Sequence, residues 1–517
     1  MVHTASAASA GNEISTCVTV CSKVTTRTVS NWTSTCCMRG CEMTTRKTKS
    51  TAEKTNSLRV RMYRVGFGDF FLVIVPTPSG DQHILIDCGV FKGTSGTGDL
   101  GSIADAVEDL FQTTGGKLAL VIMTHRHADH IAGFKVERFK DFKANMVWMP
   151  YWEQFNDKQP DSANNMLADI HDLAASLAIQ FRGRGDSDAQ EALAQLGNAT
   201  GIDDFNAAAT DKKKRVGNAV ALDMLKDHLG SQGENVRYYA AGDKPELPDE
   251  LKDLKVTILG PPPEKAKAFL ALMDLKKGVG QYLDSMTDGT RGPGPIEPFA
   301  KEWFAKTKDY PKQDELKYDE IVQRVNSAQP DMLAVAAAKI ENFLNNQSLV
   351  VLFEFDGKKL LFAGDAQGGN WEYWLYQMEA PLKDPTNARD IVEASKELLQ
   401  TIDFYKVGHH GSTNATPIPV VEAAVARPKT NKGFVSMCST EKGVYGNPDK
   451  DTEVPRILLM DELNKGSCLV RSDSIPITFT DRKTNEQKTI NPTDGVTLPK
   501  PKVGTLMKTK LYIEYAF

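Results

Sequence analysis

Thr124-His125-Arg126-His127-Ala128-Asp129-His130 sets three imidazoles and one carboxylate close together, directly after the apolar stretch Leu118 to Met123. Imidazole nitrogens and carboxylate oxygens at short spacing after a strand are the donors of hydrolytic zinc sites. His125 and His127 alternate, so an extended backbone points both to one side, while Asp129 and His130 follow after a turn and can reach a second ion. The chain has nine histidines and three fall in this run, a concentration that a merely solvated loop does not require. Two divalent cations are therefore the expected cofactors. Held about 3.5–4 Å apart, such ions lower the pKa of a shared water from about 16 to about 7 and stabilise charge on attacking and leaving oxygens, which is hydrolysis by a metal-bridged hydroxide.

The segments that must position these groups come in two similar halves. Leu58 to Arg64, Phe70 to Val75 and Ile84 to Asp87 read as strands separated by Gly66-Phe67-Gly68-Asp69 and Pro76-Thr77-Pro78-Ser79-Gly80, the start of a mostly antiparallel sheet. Ile103, Val107, Leu110 and Phe111 recur at helical spacing ahead of the strand that delivers the histidines. Met146 to Met149 and Leu254 to Leu259 look like further strands. Helical insertions are expected at about 160–230 and 264–344, the second interrupted by Gly292-Pro293-Gly294-Pro295. In the second half, Leu349 to Phe355 and Lys359 to Phe362 are joined by the hairpin signal Asp356-Gly357, and Asp365 follows at the strand end. A helix from Ala388 to Thr401 leads into a strand Asp403 to Val407 carrying His409 and His410. Another helix, Val420 to Ala426, leads into Gly433 to Met437. Strand-end groups from both halves converge in an α/β protein of stacked sheets flanked by helices, a four-layer αββα sandwich.

With these residues in view, the chain resembles the metallo-β-lactamase superfamily, whose HxHxDH motif reads His125-His127-Asp129-His130. Asp87 in Ile84-Leu85-Ile86-Asp87-Cys88-Gly89 matches the acidic residue ahead of that motif. Asp365 looks like the later bridging aspartate, and His409-His410-Gly411-Ser412 looks like the last histidine motif. Within the superfamily it is most similar to the hydrolase domain of ComEC-type competence proteins and to phosphorylcholine esterases, through Val65-Gly66-Phe67-Gly68-Asp69, Asn345-Asn346-Gln347-Ser348 and Val407-Gly408-His409-His410-Gly411-Ser412. The likeness covers about 58–473, apart from the interior. It implies His125 and His127 on the first metal, Asp129, His130 and His410 on the second, and Asp365 on both. Asp87 would orient a ligand imidazole, unless it is only a turn-forming residue ahead of Gly89. Adjacent histidines of an extended segment face opposite ways, so only one of His409 and His410 can bind metal. Likeness to the esterases selects His410, leaving His409 to contact a substrate phosphate or assist the leaving group.

Two departures from the family pattern matter. The superfamily usually has a third histidine for the first metal between the motif and the bridging aspartate, and the interval offers only His171, in a helical stretch, and His228, ahead of Leu229-Gly230, where a cation favours a helix C-terminus. Water or an insertion side chain would complete that site, and manganese becomes an alternative to zinc because oxygen ligands suit it. ComEC-like domains also carry a histidine before the proline where this chain has Asn447, which cannot titrate.

The resemblance implies a phosphodiester substrate, with nucleic acid among the candidates. Lactam or thioester hydrolysis, or a non-catalytic binding protein on the same fold, are the alternatives. Net charge is −5, so any attraction to nucleic acid must be local, and Lys212-Lys213-Lys214-Arg215 is either such a guide or a solvated helix start. A chain of 517 residues with 41% hydrophobic content can bury a large core. It contains no apolar run of about 18 residues, so no membrane span is expected.

Residues 1–57 are rich in Thr, Ser and Ala and are expected to be disordered, with Met43 an alternative start. Cys17, Cys21, Cys36, Cys37 and Cys41 lie there without a familiar ligand spacing, and no apolar core of a secretory signal is present. Cys88, Cys438 and Cys468 fit buried thiols of a cytoplasmic protein. The hydrolase domain is expected over 58–473, followed by a strand-rich extension, 474–517, packed on it.

Overall fold

The computed structural model describes residues 57–91, 101–154, 187–201, 217–270, 330–378, 380–381, 391–425, 433–445, 453–473, 477–480, 487–490 and 499–517. The expectations for residues 1–56, the five N-terminal cysteines, His171, Lys212-Lys213-Lys214-Arg215 and Asn447 fall outside the described residues.

The chain from Asn56 to Phe517 forms one compact unit of mixed α/β structure. Its first half supplies β1 (Arg59–Tyr63), β2 (Phe71–Thr77), β3 (Gly80–Ile86), β4 (Lys117–Leu118), β5 (Leu120–Ile122), β6 (Lys143–Ala144), β7 (Val147–Pro150) and β8 (Val236–Tyr239). The second half supplies β9 (Lys255–Gly260), β10 (Val350–Phe355), β11 (Lys358–Phe362), β12 (Phe404–Lys406), β13 (Val435–Cys438) and β14 (Cys468–Arg471). β15 (Ile477–Thr480) and β16 (Gln487–Ile490) pair with each other, and β17 (Thr505–Lys508) and β18 (Tyr512–Ala516) close the chain. The larger sheet has the order β17-β18-β1-β2-β3-β5-β7-β8, the smaller β14-β13-β12-β11-β10-β9, and β4 and β6 form a short pair of their own.

The first strands pair antiparallel as expected, and a parallel half follows them in each sheet. In the first sheet β1, β2 and β3 pair antiparallel, but β3, β5, β7 and β8 run parallel. The second sheet repeats this, with β9, β10 and β11 antiparallel and β11 to β14 parallel. Parallel neighbours need a crossover, and the intervening helices supply it. The final strands are hydrogen-bonded into the larger sheet, with β18 pairing along β1 from Arg59↔Ala516 to Tyr63↔Tyr512.

Sequence alternation explains the packing. In β10, Val351 and Phe353 face one side and join Val60, Val73, Ile84, Ile122 and Phe362 in a core shared by both sheets, while Val350 and Leu352 face the other. That second face packs on α6 (Gly368–Tyr376), α7 (Glu393–Thr401), α8 (Ile418–Val425) and α9 (Ile457–Gly466), through Trp371, Leu399, Val420 and Leu463. The other face of the larger sheet, through Leu72 and Val121, meets α1 (Ile103–Thr114), α2 (Ala128–Ile131) and α4 (Asn218–Asp223). α1 starts where the Ser102 hydroxyl accepts the Asp105 N–H and stops at the left-handed Gly115. Of the two expected helical insertions, the described parts are α3 (Ser187–Thr200), α4 and the turn Met224–Leu229 in the first, and Glu264–Phe269 and α5 (Pro330–Asn345) in the second. Among the described residues, no helix is long and apolar enough to cross a membrane.

Candidate metal centre

β5 stops at Ile122, and the chain leaves the sheet through Met123 and Thr124 toward α2. Two contacts fix this exit. The Leu349 N–H, just ahead of β10, donates to the Thr124 carbonyl at 2.8 Å, and the Asp69 N–H donates to the Asp129 carbonyl at 2.8 Å. The approach requires glycine at position 89, because a Cβ there would lie 2.1 Å from the Asp129 carbonyl carbon. From the insertions, the Asn198 side chain accepts the Asp129 N–H at 3.0 Å, and the Asn218 amide donates to the Arg126 carbonyl at 2.7 Å.

Asp129, His130, Asp365 and His410 meet at the sheet ends, all buried, each with one potential ligand atom within 4.8 Å of the others'. His130 Nδ1 lies 2.7 Å from Asp87 Oδ2, and His410 Nδ1 lies 2.8 Å from the Ser439 carbonyl. Both partners are acceptors, so this network assigns the ring proton to Nδ1 in each case. Each Nε2 then turns a lone pair toward a carboxylate, His130 to Asp365 Oδ2 at 3.0 Å and His410 to Asp129 Oδ2 at 3.0 Å. Lone pairs facing carboxylate oxygens in a buried site need a cation between them, either a proton or a metal ion. Asp129 Oδ1, His130 Nε2 and Asp365 Oδ2 are buried without hydrogen-bond partners, and they are the atoms a metal would take. The donor set fits a divalent ion.

Electrostatics point the same way. Burial opposes charge on His130, yet Asp365, Asp87, Asp69 and Asp129 around it raise its pKa well above that of an ordinary imidazole. Burial also opposes ionisation of Asp129 and Asp365, but His130 and His410 hold both carboxyls below the usual range, with Lys406 adding to the effect on Asp365. Burial raises the Asp87 pKa against the pull of His130. The cluster concentrates carboxylates around His130 in a buried setting that could hold a cation.

The sequence-predicted residues divide by location. Asp87 accepts the Thr124 N–H at 2.8 Å and the Thr124 hydroxyl at 2.6 Å besides meeting His130, and it adopts a left-handed φ of 55°. His125 and His127 stand together at the side of the cluster, with His125 Nε2 3.0 Å from His127 Nδ1 and the His125 ring 4.1 Å from that of His130. Burial, then the neighbouring imidazoles, lowers the His125 pKa, and burial lowers that of His127. His127 Nε2 is buried without a partner. Among the described residues, no histidine, cysteine or carboxylate completes a ligand group with this pair, and His228 is exposed at the end of a π-helical turn.

His409 and His410 depart from the extended backbone expected of them. Both are left-handed, with φ of 45° and 52°, because the chain turns tightly between Gly408 and Gly411. The turn still sends the rings apart. His410 enters the cluster against the Phe67 ring, whereas His409 Nε2 lies 3.5 Å from Glu341 of α5 and its Nδ1 3.2 Å from Gln367. Burial works against a proton on His409, but Glu341 and then Asp365 raise its pKa to about 9.

Four residues near the centre had no role in the sequence analysis. Asp69, together with Asp87 and His130, forms a second group close enough to hold an ion, and its motif Val65-Gly66-Phe67-Gly68-Asp69 was the available signal. Lys406, at the end of β12, forms ion pairs with Asp69 and Asp365. Glu341 and Gln367 carried no local signal. Compared with known proteins, the chain matches no protein-family model and no curated protein.

Proposed function

We propose that this chain is a metal-dependent hydrolase of phosphodiesters on a four-layer αββα sandwich of the metallo-β-lactamase type. The observation that carries the proposal is the convergence of buried Asp129, His130, Asp365 and His410, in which Asp129 Oδ1, His130 Nε2 and Asp365 Oδ2 have no hydrogen-bond partner. Asp129, His130, Asp365 and His410 would hold one divalent ion, whereas His125 and His127 stand beside it without grouping with Asp365 into the second site expected of them. Zinc suits the imidazoles and manganese the carboxylates. When bound, such ions supply Lewis acidity and activate water near neutral pH.

The protein groups have separate tasks. Asp87 fixes the His130 tautomer and so aims Nε2 into the centre, and the Ser439 carbonyl does the same for His410. Asp365 Oδ1 is held by the His409 N–H at 3.0 Å, leaving Oδ2 for the centre. His409, its proton favoured by Glu341, would assist the leaving oxygen once its Nε2 turned from Glu341 to the substrate. Nucleic acid is one candidate substrate among phosphodiesters.

The test is the metal content of the purified full-length protein together with turnover of bis-p-nitrophenyl phosphate and linear DNA in Mn²⁺ or Zn²⁺. Metal-dependent release of p-nitrophenolate, abolished by chelation, is expected. Bound metal with hydrolysis of a lactam or thioester but no phosphodiester would overturn the substrate assignment, and bound metal without any turnover would leave a binding protein.

A further inference from the structure

Lys406 ends β12, four residues before His410, and its side chain is 99% buried. An ammonium group has three protons and no lone pair, so in a dry site it needs three acceptors. Lys406 Nζ has them: the Gly364 carbonyl at 2.9 Å, Asp365 Oδ1 at 3.1 Å and Asp69 Oδ2, with which it forms a close ion pair. Two of these acceptors belong to the second half of the fold and one to the first. Asp69 is in turn strapped to the histidine segment, since its N–H donates to the Asp129 carbonyl at 2.8 Å and its carbonyl accepts the Gly89 N–H at 2.9 Å.

We infer that Lys406 is a positioning residue for the metal centre: its ammonium group holds Asp365 Oδ1 and, through Asp69, ties Asp365 to the segment that carries Asp129. The inference rests on the metal-binding proposal and extends it. With Oδ1 held by Lys406 and the His409 N–H, the Asp365 carboxylate cannot turn about its terminal bond, and Oδ2 faces His130 and His410. The same ammonium sits on Asp69, so the group Asp69, Asp87 and His130 already has a cation of the protein's own. The two halves contribute one carboxylate each to the centre, and Lys406 spans the gap between them. A lysine acting only to balance charge would serve equally well if it and one carboxylate were removed together. A positioning lysine would not.

That difference sets the experiment. Lys406→Met alone leaves the buried Asp69 with only the His130 and His410 rings, 3.7 and 3.6 Å away, and is expected to destabilise the fold, whereas the double variant Asp69→Asn, Lys406→Met removes both charges and leaves the net charge of the site unchanged. Thermal melting of the chelated proteins should rank the double variant above the single one. Zn²⁺ or Mn²⁺ affinity, read by competition with a fluorescent chelator, should nevertheless fall about 10–100-fold in the double variant, because Asp365 has lost a donor that orients it. Affinity within threefold of the unaltered protein would overturn the positioning role while leaving the metal centre standing. An unaltered protein that binds neither ion would remove the metal-binding proposal itself, and this inference with it.

Discussion

In the first half of the folded unit Asp87 stands directly after β3, and in the second Asp365 stands three residues after β11. Each aspartate follows the second strand of an antiparallel hairpin, and each hairpin is continued by a parallel strand that ends at the cluster histidines, β5 ahead of His130 and β12 ahead of His410. The surroundings of the two carboxylates differ. Asp87 accepts from the Thr124 N–H, the Thr124 hydroxyl and His130, and both its oxygens are engaged. Asp365 accepts from Lys406 and the His409 N–H on one oxygen alone, and the other, buried without a hydrogen-bond partner, faces His130 Nε2 at 3.0 Å. Matching positions in a repeated topology therefore give one carboxylate with both oxygens hydrogen-bonded and one with an oxygen left over, and the proposed function assigns orientation to the first and metal binding to the second.

The largest effect should come from the binding carboxylate. Asp365→Ala is expected to lower metal affinity by more than the roughly 10–100-fold that loss of an orienting partner costs, and to abolish turnover. Chelator competition and steady-state kinetics check this. Equal losses from Asp365→Ala and Asp87→Ala would erase the distinction between the halves.

The histidines after β12 sharpen the comparison. His410→Ala should reduce metal occupancy, while His409→Ala should keep metal bound and lower turnover about 10²–10⁴-fold, the range for a lost general acid. Metal analysis and kinetics on both variants decide it, and exchanged outcomes would make His409 the ligand. Asp87→Asn should have a smaller effect, about 10–100-fold in affinity, because His130 stays in place but its ring is no longer fixed.

How far this centre was legible in the sequence follows from how local each signal is. His125 to His130 are consecutive and visible at once, and Asp356-Gly357 marks its hairpin because both residues take left-handed φ, 47° and 70°. Asp87, Asp365 and His410 emerged only through resemblance to a family. Lys406 reads as one more strand residue, and nothing local tells that its ammonium reaches two carboxylates distant in sequence. Glu341 meets His409 only because α5 packs back on the centre. The strand β8 was missed because Val236-Arg237-Tyr238-Tyr239 is half polar and has no clear alternation of burial. The pairing of β18 with β1 joins the two ends of the folded unit, and no periodicity encodes a register across that separation.

The smallest expected effect concerns the hairpin that carries Asp87. His83 in β3 is mostly buried, and burial, partly opposed by Asp81, lowers its pKa to about 4. Its folded pKa lies below the unfolded value, so the stability it favours is present above about pH 6.5 and is lost as pH falls toward 4. Solvent screening limits the effect to about 1–3 kcal/mol. Urea unfolding at pH 7 and pH 4.5 should show that loss in the unaltered protein and a flatter response in His83→Gln. An identical pH dependence in the two proteins would remove His83 as its source.

Whether Asp129 and His130 hold metal decides the proposed function most directly. The decisive measurement is metal stoichiometry, by mass spectrometry of the purified protein, for the unaltered chain and for a variant with Asp129→Ala and His130→Ala whose folding is verified by circular dichroism. Bound divalent metal in the first and none in the folded variant is the predicted result, and a variant that retains the same metal content would place the site elsewhere in the chain.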